Sequence, residues 1–345
     1  MKKYVISFLC LFLLVGCNNK NNITPIDIDF DNEYYQVYTP YKKGVGNNYV
    51  VNNVLNNYDI LEVEKALMMV SSKYFKTNNS YYQEGQFLTE KELKLLLNKD
   101  NLNKAPNIEI GGINITPTYI TSIYEQNYLA TNGNLKGISL AIVLNPYQAY
   151  KNSYGIYSYK IVNEEELIAF GKTAANELFK YIRQKKELKD VRVLIGLYFQ
   201  KSPNAVLPGI FKYVGISHKD TINLEEVDYQ YYYLNSNYIL EHDVNSANAY
   251  NNIEQVVKEL FPVVNVIGIG LYEDSILKNI EIIVNNSHFK KSELLYLSQT
   301  LSEKIGTTFN NIINIKVLIT ANDKVLALIH KESNTSRCNV YMING

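Results

Sequence analysis

The hydrophobic positions of this 345-residue chain fall into three textures. From Tyr4 to Val15 they are nearly unbroken; from about 34 to 130 they recur at helical spacings; from Gly137 they form β-branched runs between polar turns. In "EVEKALMMVSSKYF", Val63, Leu67 and Val70 share one helical face, which predicts a helix near 60–75. In "LTEKELKLLLN", Thr89 precedes Glu92 by three, a capping box ahead of an apolar run. "PTYITSIYEQNYLA" begins with Pro117 and sets Ile120, Ile123, Tyr124 and Tyr128 on a common face, so a third helix is expected there.

Beyond Gly137, "GISLAIVLN" and "YGIYSYKIV" read as strands. Asn163 then caps a helix with acids at its start and Arg183 to Lys186 at its end, and "VRVLIGLYFQ" and "GIFKYVGIS" follow as strands. The order returns later. "VVNVIGIGLY" and "ILKNIEIIVNN" are strands, "KKSELLYLSQTLSEKIG" is a helix closed by Gly306, and "NIINIKVLIT" and "KVLALIH" are strands joined by a tight turn at Ala321-Asn322-Asp323. Between the two units "SANAYNNIEQVVKELFP" is a helix ended by Pro262. The expected class is therefore α+β, with duplicated ββαββ-like units and mostly antiparallel sheets behind a helical or irregular N-terminal region. The expected divisions are a signal peptide over 1–16, a flexible tether over 17–33, and α+β domains over 34–220 and 221–345.

The first texture carries the clearest targeting signal. Lys2 and Lys3 precede an uncharged run that falls short of the roughly 20 residues a spanning helix needs. Its end, Leu14-Val15-Gly16-Cys17, resembles a bacterial lipobox. That resemblance implies diacylglycerol on the Cys17 thiol and cleavage between Gly16 and Cys17 by signal peptidase II. The partners expected are membrane lipid through Cys17 and the lipoprotein-processing enzymes, with the body held on the outer face of the cell membrane. Two acyl chains anchor firmly, since each buried methylene contributes about 0.8 kcal/mol.

Charge changes the picture by exclusion. Lys+Arg and Asp+Glu both number 34, so no global field favours nucleic acid. Cys10 departs with the signal and Cys17 is lipidated, which leaves Cys338 without an intramolecular partner and the fold without a disulfide. Thirty tyrosines and no tryptophan reflect a composition also rich in Asn, Lys and Ile, and suit both strand surfaces and binding faces. None of the four histidines pairs at helical spacing with another, and HExxH, CxxC, G-x-S-x-G and P-loop patterns are missing, so no metal, cofactor or catalytic residue is expected. His242-Asp243 reads as a surface pair, and the "GVG" at 44–46 and "GIG" at 268–270 as turn or strand glycines.

Two polar segments interrupt apolar surroundings, "YYQEGQFL" (81–88) and "YITSIYEQNYL" (119–129). Tyr82, Glu84, Gln86, Tyr124, Glu125 and Gln126 could line a cleft that hydrogen-bonds a peptide or glycan. With two carboxylates facing across it, such a cleft could also serve a wall-modifying hydrolase. Alternatively, Glu84 and Glu125 accept backbone N–H groups and order the intervening loop.

These segments, with "YYQVYTPYK" (34–42), "GISLAIVLN" (137–145) and "VVNVIGIGLYEDSILKNIEIIV", resemble the CamS family of sex-pheromone lipoproteins of low-GC Gram-positive bacteria. The family pattern has an Arg-Gly pair after Pro-Tyr-Lys, where this chain has "GVGNN", and a Gly-Leu-Asn-Pro that appears only as "NLNKAP". The resemblance implies that the discarded signal is the pheromone source, with "LCLFLLVG" (9–16) as the segment of suitable character; with no catalytic pattern in the chain, the folded body is expected not to be an enzyme. Read from the residues alone, the same segment is also an ordinary signal-peptide core.

Overall fold

The computed structural model describes residues 35–46, 49, 57–202, 205–322 and 324–343. The lipobox, Cys17 and the tether lie outside the described residues.

The first unit runs α1 (Asn57–Ser72), β1 (Tyr81–Glu84), α2 (Glu90–Leu96), β2 (Ile108–Ile110), β3 (Ile113–Ile115), β4 (Ile120–Leu129), β5 (Leu135–Leu144), β6 (Tyr147–Lys151), β7 (Tyr157–Ile161), α3 (Glu164–Arg183), β8 (Arg192–Phe199), β9 (Ile210–His218), β10 (Thr221–Ile222) and β11 (Glu225–Glu226). The second runs β12 (Tyr229–Tyr233), α4 (Asn237–His242), α5 (Val244–Leu260), β13 (Asn265–Glu273), β14 (Ile276–Asn286), α6 (Lys291–Thr308), β15 (Asn314–Ala321), β16 (Lys324–Lys331) and β17 (Cys338–Met342).

The sheets order as β1-β4-β5-β8-β9-β10, with β11 also on β9, and as β12-β13-β14-β15-β16-β17. Every pair is antiparallel except β5–β8 and β14–β15, which lie parallel around α3 and α6. A parallel pair needs a crossover long enough to carry the chain back, and each unit uses its main helix for it. The duplicated ββαββ order is β4-β5-α3-β8-β9 and β13-β14-α6-β15-β16. The first unit differs from the expected one, because "YGIYSYKIV" forms β7 in a separate two-stranded sheet with β6, and β4, expected as a helix, takes the place beside β5.

Local chemistry sets the helix starts. Thr89 Oγ1 accepts the Glu92 N–H while the Glu92 carboxylate accepts the Thr89 N–H, the reciprocal box expected. Asn163 Oδ1 accepts from Glu165 and Glu166 N–H. α6 continues through Gly306 to Thr308, and a Cβ at Gly306 would lie 2.4 Å from the Ser336 carbonyl oxygen. That glycine permits a close approach to the last loop and does not end the helix.

The segment 117–130 departs from its expected helix. It forms β4, buried at all ten positions between β1 and β5. A strand covered on both faces loses the alternation of period two that marks a strand in sequence. The apparent helical face arose by coincidence of four apolar positions.

α1 lies between the layers. Val63, Leu67 and Val70 bury against the first sheet, whose other face packs on Leu167, Ala174 and Leu178 of α3. In the second unit Tyr250, Ile253 and Val257 of α5 join Leu297, Leu301 and Ile305 of α6 over one sheet face. The opposite face of that sheet turns toward the outer side of α1.

Candidate functional site

The six residues expected to line a cleft are brought to the edge of the first sheet, where β1 pairs with β4 and Tyr82 stands opposite Tyr128 and Glu84 opposite Gln126. Alternation then sends Glu125 to one face and Tyr82, Glu84, Tyr124 and Gln126 to the other. Glu125 points away from α1, is 8 % exposed, and receives three successive backbone N–H groups. Gln86 donates to Oε1 at 2.9 Å, Leu88 to Oε2 at 2.7 Å, and Phe87 to both at 3.1 and 3.2 Å. Burial raises the Glu125 carboxyl above its ordinary range, and these backbone donors pull it part of the way back. Glu84 accepts the Tyr41 hydroxyl and the Gly44 N–H, each at 2.5 Å. The Gln86 amide donates to the carbonyls of Lys43 and Glu84.

These carboxylates hold the segments 41–46 and 85–88 against the sheet. The space beside them is about 20 Å³, enough for about one water. A space of that size is too small for a peptide or a sugar, and both carboxylates beside it are already engaged by hydrogen-bond donors.

Tyr82, Tyr124 and Gln126 face α1. Tyr82 donates to Glu64 Oε1 at 2.9 Å, the Gln126 amide donates to the Glu64 carbonyl at 2.9 Å, and Tyr128 donates to Gln126 at 2.8 Å. Burial raises the hydroxyls of Tyr82 and Tyr124 above the normal phenol range, so both remain protonated donors. This polar layer fixes α1 to the sheet and sets the orientation of Glu64.

Glu64 also lines a cleft of about 550 Å³ between α1 and the open face of the second sheet. Its walls are Leu61, Met68 and Met69 on one side and Ile269, Leu271 and Ile283 on the other. Its floor is polar. Ile269, Glu281, Lys316 and His330 are successive cross-strand neighbours, and Glu281 pairs with Lys316 at 3.6 Å. In the next row Leu271, Asn279 and Asn314 align, and Asn314 bonds His330 Nε2 at 2.8 Å. Tyr231 lies between Lys65 and Glu62 of α1 and Glu281 of the floor, and burial pushes its hydroxyl up to about 12. The ion pair of Lys73 with Glu273 ties the end of α1's unit to β13.

None of the floor residues announced itself in the sequence. Lys316, His330 and Asn314 occupy alternating outward positions of ordinary strands, and only the pairing of β14, β15 and β16 makes them one surface. His242 and Asp243 do point apart: His242 Nδ1 is 2.8 Å from the Tyr238 carbonyl oxygen, and Asp243 caps α5 and accepts the Tyr272 hydroxyl at 2.9 Å. They sit at the junction of α4 and α5. Among the described residues no group of three or more His, Cys, Asp or Glu could hold a metal ion, and no helix is long and apolar enough to cross a membrane.

Fold and cleft together define a duplicated α+β protein with a groove between its two layers. Residues 41–337 match the CamS sex pheromone cAM373 precursor family, and the chain belongs to that family. The fold is similar to that of a crystal structure of the sex pheromone precursor from Lactobacillus salivarius subsp. salivarius UCC118. The TM-score is 0.80 at 22% identity, over 91% of this chain and 97% of that one. It is also similar to the C-terminal domain of the sex pheromone staph-cAM373 precursor from Staphylococcus aureus, with a TM-score of 0.73 at 21% identity over 86% and 100% of the two chains. No curated sequence matches the chain.

Proposed function

We propose that this chain is a lipid-anchored surface lipoprotein whose cleaved leader supplies a peptide pheromone, and that its folded body is not an enzyme. The observation that carries the reading is the Leu14-Val15-Gly16-Cys17 junction at the head of a chain that belongs to a pheromone-precursor family. Cleavage before Cys17 yields two products with different physical fates. The Cys17 side stays on the membrane through its acyl chains, with membrane lipid and the processing enzymes as its partners. The other side is an uncharged peptide small enough to leave the bilayer and diffuse. The engagement of Glu84 and Glu125 by backbone donors supports a non-catalytic body, because it removes the one acid pair the sequence offered for hydrolysis.

Two measurements test this. Cys17→Ala is expected to abolish labelling of the protein by a palmitate analogue, and persistent labelling refutes the anchor. Synthetic LCLFLLVG is expected to induce mating aggregation in responder strains at low concentration, and silence across responders refutes the pheromone.

A further inference from the structure

We infer that the cleft between α1 and the open face of the second sheet binds a short apolar peptide with free termini. This stands apart from the precursor reading, since it concerns the body that remains after the leader has gone.

The size suits it. About 550 Å³ falls within the roughly 300–1,000 Å³ of small-ligand sites and has room for about three or four residues. The walls suit apolar side chains of varied shape, because Met68 and Met69 are unbranched and polarisable and adapt to what they meet. The floor decides the class. An acyl chain needs continuous hydrocarbon, and here a polar stripe of Asn279, Glu281, Asn314, Lys316 and His330 crosses the full width of the groove. Burying such groups against hydrocarbon would leave donors and acceptors unmatched. A glycan needs aromatic faces on which to stack, and among the described residues Tyr231 is the only phenol lining the cleft, half-buried and hemmed in by charged groups.

A peptide satisfies both surfaces. Its amides find donors and acceptors in Asn279, Asn314 and His330, and its side chains find the apolar walls. Its amino terminus meets the carboxylates of Glu62 and Glu64 on α1, and its carboxylate meets Lys316 on the facing sheet. Charges of both signs within one amphipathic groove match a zwitterionic apolar ligand better than a uniformly charged one.

The test uses the full chain reconstituted in liposomes, with Leu-photoleucine-Leu-Val carrying free termini as probe and mass spectrometry to locate the cross-links. Cross-links are expected within residues 61–72 and 269–283. About a hundredfold excess of unlabelled Leu-Leu-Leu-Val should remove them, and the acetylated, amidated peptide should compete about tenfold less well. Lys316→Ala, a change at a half-exposed side chain that leaves both cores intact, should lower cross-linking about three- to tenfold with an unchanged circular dichroism spectrum. Cross-links scattered over the surface, or surviving excess peptide, overturn the assignment. Equal displacement by palmitate or by an N-acetylglucosamine tetramer overturns it in favour of a lipid or a glycan.

Discussion

Glu125 Oε2 accepts the backbone N–H of Leu88 at 2.7 Å, a bond between residues 37 positions apart that closes the loop in front of α2. Together with the donations from Gln86 and Phe87 it makes one buried side chain the organiser of an entire turn. Glu125→Gln keeps the shape but replaces one acceptor oxygen with an NH₂ group that faces N–H donors. The variant is expected to lose about 1–3 kcal/mol in chemical denaturation. An unchanged midpoint would show that the loop is held by other contacts.

Glu92 gives the fold an acid-sensitive point. It accepts from Thr89, Tyr181 and Lys185, and so links α2 to α3. Burial alone would raise its carboxyl, but the bonds from Lys185, Thr89 and Tyr181 outweigh burial and lower it to about 2. A carboxyl whose folded value lies below its unfolded one contributes stability above the unfolded value and loses it as pH falls toward the folded value. The contribution should therefore disappear between about pH 4.5 and pH 2. After discounting for solvent screening it amounts to about 1–2 kcal/mol. Thermal unfolding across that window should show the loss in the native chain and a flatter profile in Glu92→Gln.

Gly268 in the second unit is kept for a close ring contact. A Cβ on Gly268 would sit 2.3 Å from the ring of Tyr250, which is fully buried and donates its hydroxyl to the Val266 carbonyl at 3.0 Å. Gly268→Ala must displace that ring, and overpacking of this kind costs about 1–3 kcal/mol. A lowered melting temperature is the expected reading, and Gly112→Ala, where a Cβ meets nothing within 4 Å but φ is +83°, separates packing from backbone strain.

Lys331 is a fully buried cation that donates to the carbonyls of Asn310, Asn311 and Ile313, the last at 2.8 Å. Lys331→Met removes the donor from three carbonyls in the turn after α6 and should cost about 2–4 kcal/mol. Faster amide exchange confined to 310–315 is the accompanying signature; exchange unchanged there would refute the role.

Lys73 and Glu273 join the unit of α1 to β13 across the mouth of the layers. Lys73→Met should leave both cores folded and increase deuterium uptake along β12 and β13. Uptake equal to the parent chain would mean that the apolar contacts alone hold the units together.

The sequence by itself determined most of the element order. Apolar runs rich in β-branched residues between polar turns marked β5, β8, β13 and β15, and side-chain caps at Thr89 and Asn163 fixed two helix starts, because both signals are local. It also carried the junction at Cys17 and the family membership. Tertiary structure decided what locality cannot. It turned residues 120–129 into a strand buried on both faces, where Ser122, Glu125, Gln126 and Asn127 sit among the apolar positions and hide the alternation. It assigned Glu84 and Glu125 to backbone donors about 40 residues away in sequence, which no spacing rule can reveal. It also gathered Glu281, Lys316 and His330 from three strands into one floor, since strand pairing, and not proximity along the chain, sets which side chains become neighbours.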